Sequence, residues 1–122
     1  MSDAESGPDR LDTLHPLDAM TAAPDHHGIL LENERVRVLD TRIRPGEQTP
    51  IHTHQWPGAL YILSWSDFIR YDQDGTVLLD SREMPTKPQV GGVIWSAPLP
   101  PHYARNVGDA DLHVIAVEVK PS

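Results

Sequence analysis

At 122 residues with no cysteine and a net charge of −8, the chain holds one domain and no disulfide framework, thiolate metal site or thiol nucleophile. The negative balance argues against nucleic acid and anionic membrane surfaces as partners. No apolar run approaches the ~18 residues of a membrane span, and no basic stretch precedes an apolar one at the N-terminus, so a soluble cytoplasmic protein is expected.

The charge is uneven. Asp3, Glu5, Asp9, Asp12, Asp18 and Asp25 face only Arg10 in residues 1–25, six acids against one base, which places −5 of the −8 there. Residues 1–24 have few large apolar side chains, no periodicity, and prolines at 8, 16 and 24. They read as a flexible acidic arm with one short helical turn near Leu14–Met20, ahead of a single domain over 25–122. His26 and His27 lie at the junction. Adjacent residues point opposite ways along a strand, so this pair reads as solvent-facing or hydrogen-bonded rather than metal-binding.

From Gly28 onward the pattern is β. Ile29–Leu31 is a short apolar run, and Arg35-Val36-Arg37-Val38 opens an alternating strand that continues to Ile43. Pro45-Gly46 reads as a turn. In Ile51-His52-Thr53-His54 the two histidines share one strand face, roughly 6.6 Å apart at the usual rise, so both imidazoles can converge on one ion. Ala59–Trp65 is a strand apolar on both faces. Asp67–Tyr71 and Thr76–Leu79 flank Asp72-Gln73-Asp74-Gly75, a hairpin signal in which Gly75 takes positive φ without steric cost. Val90–Ser96 and Leu112–Val119 complete the set, with a proline-rich turn at Pro98–Pro101 leading into His102. Many short strands punctuated by turn residues predict an all-β sandwich or barrel.

Gly46-x5-His52-x-His54, followed by Gly92-x5-Pro98 and His102-x3-Asn106, resembles the paired motifs of the cupin superfamily. The likeness covers roughly Gly28 to Val119 and implies a cupin-type double-stranded β-helix, a jelly-roll barrel. Two positions depart from the pattern. The first-motif glutamate falls at Gly58 or Ala59, and the inner glycine of the second motif is Pro100, with His102 one residue early. The resemblance then implies an all-histidine metal set, His52, His54 and His102, as in cupin dioxygenases of the acetylacetone-cleaving and thiol-oxidising types. Three neutral imidazoles leave the full +2 of a divalent ion in place, which favours an anionic chelating substrate. The expected cofactor is one divalent transition metal ion, Fe(II) first, with Zn, Ni, Mn or Cu compatible with the ligands.

Around that set, Tyr61 is the candidate catalytic residue, orienting substrate or supplying a proton. Gln48 has the parity of His52, and Trp56 and Trp95 are placed as walls of the substrate pocket. His113 reads as a hydrogen-bonded histidine rather than a ligand. The expected function is a mononuclear Fe(II)-dependent oxygenase acting on a small anionic chelating molecule. Metal-dependent isomerase or lyase chemistry, or a non-catalytic small-molecule-binding module, uses the same ligands. A homodimer is also expected. In 59–65, Leu60 and Ile62 oppose Tyr61, Leu63 and Trp65; in 112–119, Leu112, Val114 and Ala116 oppose Ile115, Val117 and Val119. A small barrel has one interior, so the second apolar row needs another cover.

Overall fold

The structure is a computed structural model that describes residues 14–122. One helical turn, α1 (Ala19–Ala22), precedes nine strands: β1 (His27–Glu32), β2 (Val36–Ile43), β3 (His52–His54), β4 (Gly58–Ser64), β5 (Phe68–Asp72), β6 (Val77–Asp80), β7 (Val93–Ser96), β8 (Leu99–Asn106) and β9 (Leu112–Val119). A 3₁₀ turn over Ser81–Glu83 follows β6. The strands form two antiparallel sheets, β1-β2-β9-β4-β7 and β3-β8-β5-β6, facing each other as a jelly roll. Among the described residues no helix is long and apolar enough to cross a membrane.

The turn residues behave as their chemistry requires. Gly46 adopts φ 80°, and its N–H donates to the Asn106 carbonyl at 3.1 Å, while Asn106 N–H donates to Glu47. The Asn106 side chain is buried and fully used: Nδ2 donates to the Ile43 and Ala110 carbonyls, and Oδ1 accepts from Ser66 and the Gly108 N–H. This asparagine locks three connections at one end of the barrel.

Two expectations are corrected, and one strand turns an unexpected face inward. The proline-rich segment is not a turn, because Leu99–Pro101 already belongs to β8. The prolines are tolerated there because β8 pairs with β5 only from His102 onward, so their missing N–H groups break no ladder on that side. In β2 the valines face outward and Arg37 faces in, with 1% of its surface exposed. The supposed arm does not run free to residue 24. Asp18 is fully buried, its carboxylate takes both terminal nitrogens of Arg37 at 2.8 and 3.0 Å, and Thr53 N–H donates to the Leu17 carbonyl at 2.7 Å. Ala19 and Ala23 pack beneath with no exposure. The rest of the predicted arm, residues 1–13, lies outside the described residues.

Registers on the larger sheet align an apolar row across its outer face. Leu31 pairs with Val38, Val38 with Val117, Val117 with Ala59, and Ala59 with Trp95. The inner face carries Leu39, Ile43, Ile62 and Ala116, all buried, against Phe68 and Ala104 of the smaller sheet.

Candidate metal centre

Four histidines meet between the sheets. His52 and His54 share a face of β3, as their spacing predicts, and His52 pairs directly across from His102 on β8. The fourth, His27, enters from β1 of the other sheet. The ligating atoms of His27, His52 and His54 all lie within 4.8 Å of one another. The His102 ring centroid is 4.4 Å from that of His52 and 5.8 Å from that of His54.

Every one of these rings has its Nδ1 engaged. His27 Nδ1 lies 2.9 Å from the Ala23 carbonyl, His52 Nδ1 2.8 Å from that of Pro50, and His102 Nδ1 2.8 Å from that of Pro100. His54 Nδ1 lies 2.8 Å from Glu118 Oε2. A carbonyl or carboxylate oxygen can only accept, so each Nδ1 carries the proton. In the neutral ring each Nε2 therefore keeps its lone pair.

Burial, reinforced by repulsion from His54, pushes His27 down to about 3. Burial and His54 likewise take His52 to about 4, and burial with His52 takes His102 to about 3. These three rings are neutral donors at pH 7. His27 Nε2 is buried with no hydrogen-bond partner. A buried polar atom left unsatisfied is costly, whereas a lone pair aimed at a cation is satisfied. The clustered His27, His52 and His54 thus form a donor set that fits a divalent transition metal, with the His102 ring beside them.

Behind the rings lies an ion network. Arg37 Nε donates to Glu118 Oε1 at 3.0 Å while its terminal nitrogens hold Asp18, and Glu118 passes its other oxygen to His54. Burial opposes the Arg37 charge, but the two carboxylates outweigh it and raise the guanidinium's pKa. Two carboxylates against one guanidinium leave one negative charge behind His54, the arrangement that fixes a ligand's tautomer and raises its basicity.

The histidines open onto a cavity of about 430 Å³ between the sheets. Its wall is mostly apolar, with Leu60, Ile62, Phe68, Ile94 and Val114, and it is broken by Arg70, Thr41, Thr49 and Glu118. Trp56 lines it, buried under the Arg37 guanidinium at 5.0 Å. Trp95 also borders it, although its pairing with Ala59 sets its side chain on the outer face, where it is 66% exposed.

Two placements are corrected. Tyr61 is 43% exposed and does not line the cavity. The inward row of β4 is Gly58, Leu60 and Ile62, so Tyr61 falls on the outer face and cannot touch a molecule at the histidines. Gln48 is exposed and bridges to Arg105, because β3 begins only at His52 and the chain before it is not in strand phase. Thr49 turns inward instead and accepts from the Ala104 N–H. His113 stands on the outer face, bonded to Asp40 and within 3.3 Å of Arg42.

The residues missed from sequence are His27, Glu118 and Arg70. Glu118 and Arg70 did leave a signal: each is a charge on the same strand face as apolar inward residues, Ala116 and Phe68 respectively. For His27, opposite pointing of adjacent residues excludes the pair from a site but not one member of it.

The architecture is similar to that of several solved proteins. A cupin domain from Bordetella pertussis superposes with a TM-score of 0.63 at 19% identity, covering 78% of this chain and 92% of that one. An RmlC-like cupin with a double-stranded β-helix from Methanocaldococcus jannaschii gives 0.55 at 16%, covering 77% and 78%. A double-stranded β-helix protein from Klebsiella pneumoniae gives 0.52 at 21%, covering 78% and 75%. No family model matches the sequence, and no curated protein does so at a significant level. The fold is that of a cupin-type double-stranded β-helix.

Proposed function

We propose that the chain binds one divalent transition metal at His27, His52, His54 and His102 and acts as a metal-dependent enzyme on a small anionic chelating molecule. One observation carries this reading: four Nδ1 atoms are committed to acceptors, which leaves four Nε2 lone pairs beside a single cavity. Of the activities compatible with it, Fe(II)-dependent oxygenation leads. When bound, the metal supplies Lewis acidity and, for iron, the capacity to activate dioxygen. The protein's own contribution is to keep His27, His52 and His102 neutral, engage each ring's Nδ1 and confine the substrate between apolar walls. Since no ligand is a carboxylate, the ion keeps its charge, and an anion is drawn to it.

Elemental analysis of untagged protein tests the metal, with about one ion per chain expected. The His52→Ala/His54→Ala double variant should lose it. Stoichiometric metal in that variant overturns the assignment. Substrate-dependent oxygen uptake then separates an oxygenase from an isomerase or lyase, which turns over anaerobically, and from a binding module, which does neither.

A further inference from the structure

Among the described residues Arg70 is the one cation lining the cavity, and no hydrogen bond or ion pair within them satisfies it. It sits at the centre of β5, opposite Ala104 of β8, on the inward row that also holds Phe68. Its guanidinium carbon lies 5.6 Å from the Phe68 ring centroid. The carboxylates nearby are already taken. Glu118, the one carboxylate lining the cavity among the described residues, holds Arg37 and His54. Asp67 accepts from Ser81 and lies 3.5 Å from Lys87, Asp72 caps its own hairpin through the Asp74 and Thr76 N–H groups, and Asp80 holds Arg82.

Burial lowers the Arg70 pKa, yet a guanidinium stays protonated at any ordinary pH. A charge kept in an apolar wall without a counter-ion is unfavourable unless something else supplies the partner. His102 faces the same cavity from β8, one diagonal step from the Ala104 position opposite Arg70. That step is roughly 7–8 Å between strands, a span one small molecule can bridge.

We propose that Arg70 is the specificity-determining anchor of this cavity, taking one carboxylate of a small acid with an apolar body while the acid's other end reaches the four histidines. This deepens the reading given above, because it concerns the same cavity. The planar fork of a guanidinium matches a carboxylate through two parallel bonds. The walls of Leu60, Ile62, Phe68 and Ile94 suit a flat or aliphatic body and offer little to a polyol or a nucleotide.

The test uses full-length, chelator-treated protein, so that absence of a metal and absence of an anion site give separate results. Isothermal titration with benzoate, and with benzamide as its neutral counterpart, is run on wild type, Arg70→Met and Arg70→Gln, with circular dichroism confirming each fold. Wild type should bind benzoate at least 10-fold tighter than benzamide. Loss of the charge-assisted pair should weaken benzoate by about 10- to 100-fold in Arg70→Met and leave benzamide unchanged. Arg70→Gln keeps length and hydrogen bonding without charge, and it carries the test if Arg70→Met does not fold. Benzoate binding equal to wild type in the folded variant, or a wild type that binds no benzoate or does not prefer it, overturns the proposal.

Discussion

Replacing Glu118 by Gln separates the ion network from the metal ligands it supports. The carboxylate serves two donors at once, Arg37 Nε at 3.0 Å and His54 Nδ1 at 2.8 Å. A glutamine of the same shape has one acceptor and one donor, so one of the two contacts becomes donor against donor. If the amide NH₂ meets His54, relief requires the ring proton to move to Nε2, which removes a metal lone pair, or the ring to rotate away. If it meets Arg37, the guanidinium keeps only Asp18. Because Asp18 remains, the loss stays below the roughly 3–5 kcal/mol of a fully broken buried pair. One unsatisfied buried donor plus the lost charge-assisted bond puts it at about 2–3 kcal/mol. At roughly 4 °C per kcal/mol for a domain of this size, Tm should fall by about 8–12 °C. Metal affinity should fall by roughly 10- to 100-fold, the usual effect of removing such a support. Thermal denaturation of the metal-free protein and competition against a chromophoric chelator measure the two. Wild-type values for both would refute the reasoning, and a lowered Tm with unchanged affinity would confine Glu118 to the ion network.

Asp18→Ala should cost roughly 3 kcal/mol in urea denaturation, since it strips a forked partner from a buried guanidinium; an unchanged midpoint would mean residues 14–24 do not dock as described. Ala59→Glu should leave metal affinity unaltered in chelator competition, because position 59 faces outward, and tighter binding would reverse the assigned strand phase. The metal-free protein should lose stability as pH falls. The unfolded chain takes protons near 6.5, whereas His27, His52 and His102 refuse them until about 3 to 4, so their contribution is full above about pH 6.5 and declines below it. The slope reaches up to about 1.4 kcal/mol per pH unit for each histidine, and a flat urea midpoint between pH 7 and 5 would refute it. Light scattering at micromolar concentration should give a dimeric mass, the outer row from Leu31 to Trp95 being covered by its copy, and a monomeric mass would refute that pairing.

The strand pattern was legible because alternation and turn chemistry act locally. β2, β4, β9 and the β5–β6 hairpin fall within a few residues of where their sequences place them. The shared face of the His-x-His pair was legible for the same reason, and the structure sets His102 opposite His52. Strand phase was harder to read wherever both faces are apolar or wherever a charge points inward. Tyr61 and Leu60 are equally plausible inward residues of β4 until the β9 register fixes Gly58, Leu60 and Ile62 as the inner row. Arg37 defeats simple alternation because its partners, Asp18 and Glu118, lie 19 residues before it and 81 after it. His27 could not be found by spacing at all, since its place depends on β1 closing the edge of the larger sheet beside β3.

The lack of a carboxylate at the first-motif position has a steric cause. The inward position is Gly58, not Ala59, and a Cβ built there would lie 2.5 Å from the Val117 carbonyl oxygen and 3.0 Å from Glu118 Cα. No side chain fits, so a carboxylate is sterically excluded from this inward position. Directly across from Gly58 stands Glu118, whose carboxylate stops at His54 Nδ1. The negative charge is thus kept in the site but moved one bond behind the ligands, where Arg37 and Asp18 hold it in place. His27 then adds a neutral donor from the opposite sheet. The imidazoles thus face the cavity while the carboxylate stands behind them, and it is that cavity, with Arg70 in its wall, that the proposed anion would enter.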